Sequence, residues 1–131
     1  MIILDTHFWV WWIHGSDDLT VEQLAFLDYH ASTGLGISAI SCWEIAKLVE
    51  RRRLSLPLDL EEWLEQALSY EGVEFIELSP KIAVESTRLP GKFHRDPADQ
   101  IIVATARVLG LELASRDEKI QKYPHVGTLN F

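Results

Sequence analysis

The chain has 131 residues, close to the commonest size of one folded domain, and we expect a single domain over residues 1–131. Hydrophobic residues make up 47% and charged residues 24% of it, which excludes a disordered or repetitive protein. Twenty acidic residues against twelve basic ones give a net charge of -8, which excludes binding to nucleic acid through a broad basic face.

The chain begins with a short apolar run, residues 1–4, that predicts a buried strand. The aromatic segment that follows predicts a helix that is apolar nearly all round and stops at Gly15. Thr20 begins a second predicted helix with a capping-box pattern, and residues 36–40 are a second predicted strand. This alternation of strand and helix continues along the chain.

The middle of the chain repeats the capping-box spacing. Ser41 with Glu44 predicts the start of a third helix. Asp59 begins a fourth predicted helix that ends near Gly72. A third strand is predicted at residues 73–78, before the next helix.

The last part contains two helix starts with proline at the first helical position. Pro80 begins a fifth predicted helix, and Asp96 with Pro97 begins a sixth that runs to Gly110. The remaining predicted elements are a strand at residues 111–115, a short helix at 117–123 and an edge strand at 126–131. Strands separated by helices, with little polar alternation, predict a three-layer α/β/α fold whose central, mainly parallel sheet has four or five strands.

Four acidic residues fall where such a fold places ligand sites. Asp5 follows the first strand, Glu44 lies in the helix after the second, and Asp117 follows the fourth. The carboxyl ends of parallel strands meet at one edge, so these three should face one site, and Asp99 joins them if its helix starts there. Taken singly, each could instead be a helix cap, Glu44 above all as the partner of Ser41.

Clustered carboxylates repel one another, which raises some of their pKa values and lowers stability unless a cation is bound. The four carboxylates offer only oxygen ligands, and the sequence adds no Cys to the set and no His pair at zinc spacing. This favours Mg²⁺ or Mn²⁺ over Zn²⁺. Such an ion can activate water for attack on phosphorus. The residues therefore predict a divalent-metal site that could support attack of water on phosphorus.

Five motifs in order resemble PIN domains, in particular the VapC-type toxins of type II toxin-antitoxin pairs. They are Ile3-Leu4-Asp5-Thr6, Ser41-Cys42-Trp43-Glu44-Ile45-Ala46, Phe93-His94-Arg95-Asp96-Pro97-Ala98-Asp99, Val103-Ala104-Thr105-Ala106 and Ser115-Arg116-Asp117. The resemblance covers essentially the whole chain and implies Mg²⁺- or Mn²⁺-dependent RNA cleavage. The metal ligands and catalytic residues would be Asp5, Glu44, Asp99 and Asp117, and a homodimer and a cognate antitoxin are expected.

The resemblance also suggests supporting residues. Asp96, and Thr6 and Ser115 beside acidic positions, could hold the ligands or a bound water. One position departs from the family pattern, since Gln100 stands where the family commonly has Arg. This puts a nearby charge contact in doubt and leaves the carboxylates intact.

Several cations flank the predicted site in sequence and are candidates for holding RNA phosphates. They are Lys92, His94, Arg95, Arg116 and Lys119. It is equally consistent with the sequence that they are ordinary charged residues of solvated loops.

Two other function classes stay open from the sequence. A PIN-like fold could bind RNA or protein without cutting, although all four acidic residues are present. A haloacid-dehalogenase-like phosphatase on a similar sheet would need a second Asp two residues after Asp5, and position 7 is His. A phosphotransfer domain of the receiver kind would need paired acids before the phospho-acceptor and a lysine after a late strand, a pattern that does not fit this sequence.

The apolar start lacks a basic segment and is too short to span a bilayer, so we expect no membrane association. The single cysteine, Cys42, cannot form an intramolecular disulfide and fits a cytoplasmic location.

Overall fold

The structure, a computed structural model, describes residues 1–129. Its four strands are β1 (Ile2–Leu4), β2 (Leu35–Ser38), β3 (Val73–Ile76) and β4 (Leu113–Ala114). They form one sheet in the order β3-β2-β1-β4, and each neighbouring pair is parallel. The predicted parallel sheet is therefore confirmed, with four strands.

Helices follow the strands along the chain. In order they are α1 (Thr6–His14), α2 (Val21–His30), α3 (Ala39–Glu50), α4 (Leu60–Leu68), α5 (Pro80–Ser86), α6 (Pro97–Leu109) and α7 (Glu118–Gln121). A parallel pair needs a crossover between its strands, and these helices supply the crossovers.

Each face of the sheet is covered by its own apolar core, because successive side chains of a strand point to opposite faces. Ile2 and Leu4 of β1 belong to a first core, and Ile3 between them belongs to a second. The first core includes Trp9, Leu27, Ile37, Ile45 and Trp63; the second includes Ile102, Val103, Leu113 and Ile120. The predicted three-layer α/β/α fold is confirmed.

Most predicted helix starts are confirmed by their caps. The Thr20 hydroxyl accepts from the backbone N–H of Gln23, and the Gln23 side chain accepts from the Thr20 N–H. Asp96 caps α6 by accepting from the Asp99 N–H, with Pro97 at the first helical position. These bonds satisfy amides that a helix start leaves without an intrahelical partner.

The predicted start of α3 is wrong. The helix begins at Ala39 and its cap is Ser38, whose hydroxyl accepts from the Ile40 N–H. Ser41 and Glu44 are therefore inside the helix and form no capping box, because both side chains bond to Thr6 of α1 instead. The strand before α3 consequently ends at Ser38 rather than at residue 40.

Other differences are at element ends. Helix α4 stops at Leu68 because the chain turns into β3 through Gly72, whose backbone has φ +91 and where a Cβ atom would lie 2.3 Å from the Ala31 carbonyl oxygen. The predicted strand at 126–131 is reduced to one parallel bridge between Thr128 and Leu113, and residues 130–131 lie outside the described part. β4 and α7 are shorter than predicted.

Among residues 1–129, none of the helices combines the length and the apolar character that crossing a membrane requires.

Candidate active site

The four predicted acidic residues converge at the carboxyl edge of the sheet. Asp5 directly follows β1, and Glu44 lies on α3, the helix after β2. Asp117 follows β4, and Asp99 lies in the first turn of α6. A cavity of about 460 Å³ opens between them. Its lining consists of Asp5, His7, Trp11, Glu44, Asp96, Asp99, Arg116 and Asp117.

Asp5 is the most buried of these carboxylates, with 8% of the residue exposed. It caps α1, since its Oδ1 accepts from the Phe8 N–H at 2.9 Å. Burial raises the pKa of Asp5, and the charge of Asp117 adds to that rise, while hydrogen bonds from Ser115 and Phe8 and the charge of His7 oppose it. The side chain is thus held in one orientation at an electrostatic cost.

Glu44 is fixed from α1. The buried Thr6 hydroxyl donates to Glu44 Oε1 and hydrogen-bonds to the Ser41 hydroxyl at 2.9 Å. Burial raises the pKa of Glu44, the Thr6 bond lowers it, and the charges of Asp96 and Asp5 raise it further. Thr6 therefore contacts an acidic ligand candidate, and its supporting role stays a prediction.

Asp99 has a strongly raised pKa. Burial, followed by the charges of Asp96, Glu44, Asp117 and Asp5, raises the pKa of Asp99 to about 7. One carboxylate oxygen each from Glu44, Asp96 and Asp99 lies within 4.8 Å of the others. Asp96 thus forms a close cluster with Glu44 and Asp99, two members of the predicted quartet, and it also caps α6.

His94 contacts the Asp99 carboxylate. Its Nε2 is buried and lies 3.0 Å from Asp99 Oδ2, a charged contact when the imidazole is protonated, although the angles are not those of a hydrogen bond. Gln100, at the position that departs from the family pattern, donates from Nε2 to the His94 carbonyl at 3.1 Å. Gln100 therefore holds the loop before α6 rather than making a charge contact.

Asp117 completes the rim of the cavity. It caps α7, with Oδ1 accepting from the Lys119 N–H at 2.8 Å. Its own N–H donates to the buried Ser115 hydroxyl at 3.0 Å. Ser115 is hydrogen-bonded to the Asp5 side chain as well, so it links two of the acidic residues.

The five predicted phosphate-binding cations are not brought to one place. Arg116 lines the acidic cavity, and His94 reaches it through Asp99. Lys92 and Arg95 line a separate hollow of about 620 Å³ that also contains Gln100. Lys119 is exposed and lines neither of these two cavities.

Comparison with known proteins identifies the family. The family model of the PIN domain matches residues 2–126. The chain belongs to the PIN domain family. It is 32% identical over 124 residues to "Ribonuclease VapC22" of Mycobacterium tuberculosis, covering 95% of this chain and 92% of that relative.

Solved structures share the PIN domain fold. The crystal structure of VapBC2 from Rickettsia felis bound to a DNA fragment from their promoter matches with a TM-score of 0.74 at 20% identity, over 100% of this chain and 99% of that one. A toxin-antitoxin complex from Klebsiella pneumoniae matches with a TM-score of 0.67 at 22% identity, over 99% and 97%. At these identities the likeness concerns the fold.

The sequence patterns did not predict two of the residues that line this PIN domain cavity, His7 and Trp11. Both lie on α1, where the dense aromatic segment indicated an apolar helix and hid its polar side. Their spacing of four residues, starting two residues after Asp5, was a usable signal, because residues four apart lie on one face of a helix.

Proposed function

We propose that this PIN domain is a Mg²⁺- or Mn²⁺-dependent endoribonuclease that hydrolyses RNA phosphodiester bonds. The observation that carries the proposal is the meeting of Asp5, Glu44, Asp96, Asp99 and Asp117 in one cavity. Carboxylates placed this close, with the pKa values of three of them raised, are costly without a cation. The related ribonuclease supports RNA as the substrate.

The residues present fit a divalent metal with oxygen ligands. Oxygens of Glu44, Asp96 and Asp99 lie within 4.8 Å of one another, and Asp5 and Asp117 line the same cavity. An all-oxygen set suits Mg²⁺ or Mn²⁺. A bound ion would supply an activated water and charge stabilisation at the phosphate.

The protein's own contribution is to fix the ligands and receive the substrate. Two hydrogen bonds, from Phe8 and Ser115, orient Asp5, and Thr6 orients Glu44. Ligands fixed in advance need little rearrangement when the reaction occurs. Arg116, which lines the cavity, would contact the RNA there.

The proposed biological role is that of the toxin in a toxin-antitoxin pair, as a homodimer inhibited by a cognate antitoxin. Similar folds occur in complexes described as VapBC and as toxin-antitoxin. We place its action in the cytoplasm, because the substrate is RNA and the single cysteine suits a reducing compartment. The unit of function in this proposal is the one domain.

The decisive assay is RNA cleavage by the purified protein. We expect cleavage with Mg²⁺ or Mn²⁺, loss with a chelator, and a fall of at least about 100-fold in Asp5→Asn and in Asp99→Asn. Asp59→Asn is the matched control, because Asp59 is exposed at the start of α4 and its side chain makes no capping hydrogen bond. Wild-type activity in either site variant would contradict the proposal.

The target can be sought in cells. RNA 5′ ends sequenced after brief expression should show a cut site with the intact protein that is missing with Asp5→Asn. Binding of RNA without any cut in either sample would favour a non-cutting module instead.

A further inference from the structure

One wall of the acidic cavity is aromatic and cationic. His7, Trp11 and Arg116 form it, and we call these three residues the stacking wall. The rings of His7 and Trp11 lie with centroids 5.6 Å apart and planes tilted by 47°. Arg116, from the segment after β4, has its guanidinium carbon 4.9 Å from the centroid of the Trp11 ring.

The guanidinium of Arg116 is held on two sides. It lies over the Trp11 ring, and its Nη1 donates to the backbone carbonyl of Asp18 in the connection between α1 and α2. Although five carboxylates line the same cavity, Arg116 takes part in none of the ion pairs found among residues 1–129. Its position is therefore set by an aromatic face and a backbone carbonyl rather than by an acid.

The charge around this wall limits what phosphate attraction can contribute. The cavity contains five carboxylates against one arginine, and the chain carries a net charge of -8. Few released counterions accompany binding at such a surface. Besides phosphate attraction, proteins that hold single-stranded RNA gain affinity by stacking unpaired bases on aromatic rings and on arginine planes.

From this arrangement we infer that the stacking wall holds one unpaired base of single-stranded RNA beside the phosphate that is cut. The inference rests on the proposed function and adds to it the residues that hold the base, namely His7, Trp11 and Arg116. A base inside a duplex keeps both faces covered by its neighbours and cannot occupy the wall.

The test uses the two exposed members of the wall, because Trp11 is half-buried and also packs on the first core. His7→Ala should lower kcat/KM on a short single-stranded RNA by about tenfold, mostly through KM, and His7→Phe should restore it because a flat ring is restored. Arg116→Lys should lose about as much as His7→Ala, since lysine keeps the charge and lacks the plane.

A matched control is Arg88→Lys, an exposed arginine that lines another hollow beside α5. It should cut RNA at the wild-type rate. If Arg116→Lys also retained the wild-type rate, the arginine would serve as a simple phosphate charge and the inference would be overturned.

The second arm changes the RNA. Replacing the base on either side of the cut by an abasic nucleotide should slow wild-type cleavage about tenfold at one of the two positions. The same replacement should slow His7→Ala little further, because the stacked partner is already absent. Fully additive losses, or equal cleavage of single- and double-stranded RNA by the wild type, would overturn the inference alone. A wild type that cuts no RNA would overturn the proposed function and this inference together.

Discussion

Helix α1 has two sides with opposite effects on the stability of the protein. On one side Trp9 is fully buried and meets Trp63 at 5.3 Å between ring centroids, inside the first apolar core. On the other side, the Thr6 hydroxyl donates to Glu44, and Asp5 lies at the start of the helix. The pKa values of both carboxylates, Asp5 and Glu44, are raised. The core side needs nothing from the solvent, whereas the acidic side needs a proton or a cation. The fold and the function are thus separable at one helix.

The largest expected effect concerns the core side. Trp63→Ala should lower the free energy of unfolding by about 3 to 5 kcal/mol, because it leaves a cavity beside Trp9 and removes the bond from Trp63 Nε1 to His14 Nε2. Trp43→Ala is the control, since that side chain is 49% exposed and should cost under about 1 kcal/mol. Urea unfolding at fixed pH measures both. Similar losses would contradict the assigned core.

The next effect is the response of the acidic side to pH. In metal-free protein the pKa of Asp99 is about 7, against 3.8 in an ordinary setting. The folded state then holds a proton that the unfolded state has released, so stability is fully present below about pH 4 and falls as the pH rises to 7. Unfolding followed between pH 4 and 8 with a chelator should show a decline of a few kcal/mol.

Asp99→Asn should reverse part of that decline. Without metal at pH 8, this variant should be more stable than the wild type by about 1 to 2 kcal/mol, because the burial of a charge and its repulsion by Asp96 and Glu44 are removed. Its stability should also depend less on pH. Thermal unfolding with a chelator measures the difference, and a variant less stable than the wild type at pH 8 would show that Asp99 stabilises the metal-free fold.

The smallest effect concerns the residue that orients Glu44. Thr6→Val should cost about 1 kcal/mol of stability, because the Glu44 carboxylate and the Ser41 hydroxyl each lose a partner. It should also raise the pKa of Glu44 further and weaken Mn²⁺ binding, since the bond from Thr6 lowers that pKa. Thr33→Val, an exposed threonine whose hydroxyl donates to a backbone carbonyl, should leave Mn²⁺ affinity unchanged. Calorimetric titration compares the two.

The elements that the sequence predicted well are those specified by local chemistry. Asp96 with Pro97 fixed the start of α6, and Thr20 with Gln23 the start of α2, because caps act within three residues. The gathering of Asp5 and Glu44 followed from the parallel sheet, whose strand ends meet at one edge.

What the sequence did not predict depends on distant partners. Ser41 and Glu44 have the spacing of a capping box, yet Thr6, 35 and 38 residues away, takes both side chains. Lys92 and Arg95 lie near Asp99 in sequence but face another hollow, since sequence distance does not determine direction. The contact of Arg116 with Trp11 joins two segments more than a hundred residues apart and has no local pattern.

If the carboxylates beside α1 bind a divalent cation, calorimetric titration of Mn²⁺ at pH 7 will detect it. We expect saturable binding with release of protons, because Asp99 must lose its proton to bind the ion. The free energy of unfolding should rise by about 2.7 kcal/mol when the Mn²⁺ concentration is about one hundred times the dissociation constant. Asp5→Asn and Asp99→Asn should bind at least tenfold more weakly. No binding to the wild type, or equal binding to these variants and to Asp59→Asn, would show that these carboxylates do not form a metal site.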